Sequence, residues 1–93
     1  MIQGFRCEDT EALFRGGRLA KHLRPIAEAA RRKLDIIDYA EVLADLRAPP
    51  GNRLEALKGD RRGQHSIRIN DQWRICFVWR ADGAHDVEIV DYH

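Results

Sequence analysis

The spacing of apolar residues changes once along this 93-residue chain, and that change constrains the fold more than any other feature. Between Ile26 and Ile37 the apolar residues recur every three or four positions, which lays one apolar stripe along a helix. The segment APPGN, residues 48–52, ends this pattern, because proline lacks an amide hydrogen and glycine disfavours helix. After residue 52 the apolar residues alternate with polar ones, as they do in strands. We therefore expect helices first and an antiparallel sheet after them, an α+β fold.

Local signals give the expected elements in more detail. We predict a short first strand in residues 1–7 and a helix from Thr10 to Arg15, capped by Asp9 and ended by Gly16-Gly17. Pro25 suits the first turn of the second helix. The predicted later strands are RLEAL, HSIRI, WRICFVW and HDVEIV, at residues 53–57, 65–69, 73–79 and 85–90. The length fits one domain, residues 1–93.

Charge is distributed unevenly along the chain, although the net charge is only +1. Residues 47–80 carry eight Lys or Arg against three Asp or Glu, whereas residues 81–93 carry four acidic residues and no Lys or Arg. A locally basic stretch indicates a polyanionic partner, of which nucleic acid is the commonest.

Several classes of protein are disfavoured by the composition. The first residues contain no long apolar run, so neither a signal peptide nor a membrane span is expected, and we predict a cytoplasmic protein. Cys7 and Cys76 make no disulfide framework and are expected to be core or half-buried thiols. No cluster has metal-ligand spacing and no phosphate-binding glycine loop is present, so we expect neither metal nor cofactor.

Strand alternation predicts which side chains share a face of the sheet. One face of the third strand carries Trp73, Ile75, Phe77 and Trp79, and we expect this apolar face to pack against the helices. Placing Ile67 and Ile69 on the same side sets Arg68 opposite Arg74 on the helix-free face.

The fourth strand is expected to extend this basic face. If Val87 and Ile89 point inward through a three-residue loop at residues 82–84, Arg74 lies opposite Tyr92. The predicted site is therefore a row of Arg68, Arg74 and Tyr92 on the face that no helix covers.

Such a row suits the cleavage or binding of RNA. Two guanidinium groups can clamp a phosphate and stabilise the extra charge of a pentacoordinate transition state. Attack by the ribose 2′-hydroxyl then needs no metal. Lys58 could act as a base if its neighbours lower its pKa, and Glu55 and His93 are further candidate proton carriers.

Simpler interpretations stay open for each of these residues. Strand arginines are often ion-paired surface, Tyr92 can serve packing, His93 can be a frayed end, and Glu55 can pair with an arginine.

The segment RLEALKGDRRGQHSIRINDQWRICFVW, together with VEIVDYH at the end, resembles the HigB branch of the RelE/ParE toxin superfamily, in particular the GraT-like toxins. The resemblance implies a RelE-like fold, with a twisted antiparallel sheet of four to five strands and two or three N-terminal helices on one face. It also implies a toxin that enters the ribosomal A site and cleaves mRNA without a metal.

The resemblance also assigns roles to residues. It implies that Lys58, Arg74 and Tyr92 are catalytic, that Arg68 corresponds to a strand arginine of the RelE branch, and that His93 corresponds to a terminal histidine of the HigB branch. Glu55 stands where some HigB-type toxins carry a catalytic histidine, which suggests a weak nuclease. The other basic residues expected to bind RNA are Arg53, Arg61 and Arg62.

The partners that the resemblance implies are a HigA-type helix-turn-helix antitoxin, the ribosome with its mRNA, and operator DNA bound only through the antitoxin complex. Two other functions stay open. The ParE branch uses the same scaffold to inhibit DNA gyrase, and a basic sheet face could bind the ribosome without cutting RNA.

Overall fold

The computed structural model describes residues 1–91, so Tyr92 and His93 lie outside the described residues. Two α-helices, α1 (Glu8–Arg15) and α2 (Ala27–Tyr39), precede four strands. The strands are β1 (Glu55–Ala56), β2 (His65–Arg68), β3 (Trp73–Arg80) and β4 (Gly83–Asp91). They form one antiparallel sheet in chain order, which confirms the predicted α+β fold.

Helix α1 starts earlier than expected. It begins at Glu8 after Cys7, and no side chain caps its first amides, so the prediction that Asp9 is the cap was wrong. Asp9 instead lies in an acidic first turn, where carboxylates favour the positive end of the helix dipole. The helix ends as predicted at Gly16, whose φ of 78° is a left-handed conformation that glycine adopts easily.

Helix α2 buries the predicted apolar stripe. Ile26, Ala30, Leu34 and Ile37 are all buried, and they pack on the apolar face of the sheet. Pro25 lies just before α2, in a 3₁₀ segment at Lys21–Ile26. After α2, two further 3₁₀ turns at Leu43–Arg47 and Pro50–Asn52 carry the chain to the sheet.

The inward face of the sheet has the predicted composition. Ile75 and Phe77 of β3 are fully buried, while Trp73 and Trp79 are half-buried against the same core. Thr10 of α1 accepts a hydrogen bond from the Ile89 amide of β4 at 3.0 Å, which fixes α1 to the sheet.

The first residues pair with β4 without forming a full strand. Ile2 and Phe5 make single parallel bridges with Ala84 and Val87. The approach is close at Gly83, where a β-carbon would lie 1.9 Å from the Met1 carbonyl oxygen. Only glycine therefore fits at the start of β4.

The predicted pairing of β3 with β4 was wrong, by two residues at Arg74 and by three at Trp79. Arg80 pairs with Gly83 through a two-residue turn, and Arg74 pairs with Val90, not with Tyr92. An irregularity between Cys76 and Val78 shifts the register, and Asp86 has a left-handed φ of 51° in the facing part of β4. This extra residue lets both Ala84 and Val87 point inward, which uninterrupted alternation cannot do.

Candidate active site

Arg68 and Arg74 are direct partners across β2 and β3, as the sequence predicted. Their inward neighbours Ile67, Ile69 and Ile75 are buried, so the Arg68 and Arg74 side chains belong to the face that carries no helix. Like charges directly opposite each other in a sheet repel. Each arginine is accordingly held by a different set of acceptors.

Arg74 is held by neutral oxygen atoms of two neighbouring segments. Its Nε donates to the Ser66 hydroxyl at 2.7 Å, and its Nη2 donates to the Arg53 carbonyl at 2.7 Å and the Ser66 carbonyl at 3.3 Å. These bonds turn the guanidinium group toward β1 while leaving its charge uncancelled by those three acceptors.

Arg68 is held by a carboxylate. It forms an ion pair with Asp71 in the turn that joins β2 to β3. Asp71 is 99% exposed, so solvent screens this pair strongly, and a phosphate could displace the carboxylate at little cost.

The predicted RNA-binding residue Arg53 lies just before β1. It is exposed and has a left-handed φ of 46°, which is uncommon for a residue with a side chain. Its amide donates to the Pro50 carbonyl at 3.2 Å, so the turn aims the Arg53 carbonyl at Arg74. Arg53 thus contributes its backbone carbonyl to the site, in addition to the positive charge of its exposed side chain.

Lys58 and Arg62 lie exposed on the loop between β1 and β2. A short 3₁₀ turn, Gly59–Arg61, follows Lys58. Arg61 of the same loop is less exposed, because its Nη1 donates to Glu88 of β4 at 2.8 Å and to Gln64 at 3.0 Å. This ion pair joins the loop that follows β1 to β4, which lies three strands away from β1 in the sheet.

Glu55 is exposed in β1, directly opposite Ser66. It therefore lies beside the serine that holds Arg74. A carboxylate at this position can accept a proton, but it also repels an incoming phosphate.

The helix-free face is more buried than the sequence predicted. Cys76, which shares this face with Arg74, is fully buried. Burial raises the pKa of the Cys76 thiol above its ordinary value, and nearby Arg61 opposes that effect only in part. This buried thiol agrees with the expectation of an inert core cysteine.

Tyr92 and His93, the remaining predicted catalytic residues, lie outside the described residues. His65 stacks on Phe77, with ring centroids 6.4 Å apart. It takes no part in the arginine site.

Two clefts occur elsewhere on residues 1–91. One of about 530 Å³ lies between α1 and the 3₁₀ segment before α2, and one of about 420 Å³ lies beside Leu54 and His65. Neither is lined by Arg68 or Arg74, so these two clefts lie outside the arginine site.

Ser66, Asp71 and Glu88 are site residues that sequence reasoning missed. Alternation from Arg68 and Arg74 would have put Ser66 on the same face. The Asp71 and Glu88 contacts depend on how a turn and a loop fold over the sheet, which no local pattern reveals.

Two features are absent from residues 1–91. No three His, Cys, Asp or Glu residues in this part of the chain are grouped so that they could hold a metal ion. None of its helices combines the length and apolar character needed to cross a membrane.

Comparison with known proteins gives consistent matches. Residues 4–93 match the model of a family described as RelE-like toxin of type II toxin-antitoxin system HigB. The chain is 47% identical over 68 residues to Toxin HigB-1 of Vibrio cholerae, a match that covers 73% of this chain and 70% of that protein. It is 30% identical to Endoribonuclease HigB of Proteus vulgaris over 93 residues, the full length of both. An uncharacterized protein of Haemophilus influenzae is 46% identical over 56 residues, 60% of this chain and 55% of that protein.

Proposed function

The chain belongs to the HigB toxin family of type II toxin–antitoxin systems, whose toxins act with an antitoxin partner, and we propose that it is an endoribonuclease that cleaves mRNA on the ribosome. The observation that carries this proposal is the Arg68–Arg74 pair on the open sheet face. The printed name of the Proteus vulgaris relative, Endoribonuclease HigB, supports the same class of reaction.

The two guanidinium groups suit the binding of one phosphodiester. Arg74 is oriented by the Ser66 hydroxyl and the Arg53 carbonyl, which are neutral and do not cancel its charge. Arg68 can exchange its exposed Asp71 partner for a phosphate. Positive charge that is already in place around the phosphate lowers the activation barrier, because it stabilises the more anionic transition state more than it stabilises the substrate. We assign phosphate binding and transition-state stabilisation to these two residues.

The proposed bond changes follow from that assignment. The ribose 2′-hydroxyl loses its proton and attacks phosphorus, and the 5′-oxygen of the next nucleotide leaves and takes up a proton. Lys58, Tyr92, His93 and Glu55 stay candidates for the two proton transfers. With two guanidinium groups supplying positive charge, the reaction requires no metal ion.

The basic loop suits the rest of the RNA. Lys58 and Arg62 are exposed on the loop that leads into β2, and their charges can follow the phosphates on either side of the cut. We further propose that a HigA-type antitoxin neutralises the toxin and carries it to operator DNA. Translated mRNA as substrate implies action in the cytoplasm.

The experiment compares programmed ribosomes with naked mRNA. We expect purified toxin to cut a reporter mRNA bound in the ribosome and to leave the same mRNA intact in buffer. The upstream product should end in a 2′,3′-cyclic phosphate and the downstream one in a 5′-hydroxyl. Intact mRNA in both reactions, together with inhibition of DNA gyrase by stoichiometric toxin, would reject the proposal.

A further inference from the structure

We propose that Ser66 is a positioning residue for Arg74, and that its hydroxyl sets the orientation in which the guanidinium meets the scissile phosphate. This inference rests on the proposed function, because it assumes that Arg74 acts on RNA. Nothing in the toxin resemblance assigns a role to this serine, which is the only serine in the chain.

The geometry gives Ser66 a specific hold on Arg74. Ser66 is 0% exposed in β2, and its Oγ accepts from Arg74 Nε at 2.7 Å, near the short end of the usual range. The Ser66 carbonyl and the Arg53 carbonyl both accept from Nη2. Bonds to Nε and Nη2 together define the plane of the guanidinium, which a single bond would leave free to rotate.

The chemistry of the acceptor explains why a serine suits this position. Arg68 lies directly across from Arg74, so an unrestrained Arg74 side chain would turn away from that charge and toward solvent. A carboxylate in place of Ser66 would hold Arg74 but would also neutralise it. A hydroxyl orients the cation without cancelling its charge.

The second contact, from Arg53, is built into the backbone. Asn52 is fully buried; its Nδ2 donates to the Leu46 and Ala48 carbonyls, and its Oδ1 accepts from Lys33 at 2.6 Å. These bonds fix the turn that presents the Arg53 carbonyl. The Ser66 hydroxyl is a side-chain part of the hold, and it can be removed by one substitution.

The experiment measures single-turnover cleavage of ribosome-bound mRNA by Ser66→Ala, Ser66→Thr and the parent. We expect Ser66→Ala to cut roughly tenfold more slowly at saturating toxin, the loss typical of one hydrogen bond to a charged group, with an unchanged half-saturating concentration. Ser66→Thr keeps the hydroxyl and should recover most of the rate.

A matched control separates positioning from general stability. Thr10 is also a fully buried hydroxyl, but it bonds the Ile89 amide on the helix side. Thr10→Val should lower the thermal midpoint and leave the cleavage rate per folded molecule at the parent value. An equal loss of rate in Thr10→Val and Ser66→Ala would overturn the inference.

A readout that needs no activity is the NMR signal of Arg74 Nε–H. In the parent its exchange with water should be slowed by the bond to Ser66, and Ser66→Ala should speed that exchange. Fast exchange in the parent would overturn the inference even if the alanine variant failed to fold.

Arg74→Ala distinguishes the inference from its premise. If Arg74→Ala is defective but folded Ser66→Ala cleaves at the parent rate, the positioning role is wrong and the proposed function stands. If Arg74→Ala itself cleaves at the parent rate, the proposed role of Arg74 in cleavage is wrong, and the inference about Ser66 is rejected with it.

Discussion

Arg61 Nη1 and a Glu88 side-chain oxygen lie 2.8 Å apart across the helix-free face, joining the Lys58 loop to the last strand. Their side chains are only 31% and 19% exposed, so solvent screens this pair less than the surface pairs on the helices. Arg61 was expected to bind RNA, but its guanidinium group already pairs with a carboxylate of the same chain.

We predict that Glu88→Gln destabilises the fold by roughly 1–2 kcal/mol, between the values typical of exposed and buried ion pairs. Glu28→Gln breaks the exposed pair with Arg32 and should cost less than about 0.5 kcal/mol. Urea unfolding of both variants checks the comparison. Equal costs would mean that the Arg61 contact does not fasten the loop.

A second prediction concerns the buried amide of Asn52. Asn52→Ala leaves the Leu46 and Ala48 carbonyls and the Lys33 ammonium without this partner, so the free energy of unfolding should fall by about 2–4 kcal/mol. Thermal or urea unfolding measures it. A change below about 0.5 kcal/mol, the size usual for surface substitutions, would contradict the assignment.

A third prediction follows from the raised pKa of Cys76. Burial favours the neutral thiol in the folded state, so the stabilisation is complete below the unfolded pKa of 9.0 and is lost as pH rises through the folded pKa. Above pH 9.0 the stability advantage of the parent over Cys76→Ala should therefore shrink. A difference that stays constant with pH would show that the thiol does not titrate differently on folding.

The same burial is open to a chemical test. Half-buried Cys7 should react with iodoacetamide in the native protein, whereas Cys76 should react only after unfolding. Mass spectrometry of the alkylated protein identifies the modified residue, and native labelling of Cys76 would contradict the structure.

A fourth prediction concerns Glu55, which is exposed opposite Ser66. Glu55→His removes a negative charge near the phosphate site and supplies a group that titrates near neutral pH, so mRNA cleavage should become faster. Glu41→His, an exposed residue between α2 and the next 3₁₀ turn, is the matched control. Equal rates in both variants would remove Glu55 from the site.

The fold and the central arginine pair were predictable because both depend on local periodicity. Strand alternation alone set Arg68 opposite Arg74 and buried Ile75 with Phe77. The β3–β4 register was not predictable in this way. The chain turns through residues 81–82 instead of the expected loop at 82–84, and an extra residue at Asp86, with a left-handed backbone, shifts the pairs beyond it by one.

The contacts that complete the site were beyond sequence patterns. The Arg61–Glu88 pair joins residues 27 positions apart, and the Arg53 carbonyl reaches Arg74 from 21 positions away. Such contacts depend on how loops close over the sheet. The roles of Tyr92 and His93 stay predictions from the toxin resemblance.

The central claim is that the Arg68–Arg74 pair cleaves RNA, and primer extension on a translated reporter mRNA tests it most directly. At equal protein level we expect Arg74→Ala and Arg68→Ala to lose the cleavage stops and the growth arrest. Arg31→Ala, which removes the same charge from the exposed side of α2, should keep both. Cleavage by Arg74→Ala and Arg68→Ala at the strength of the parent would contradict the claim.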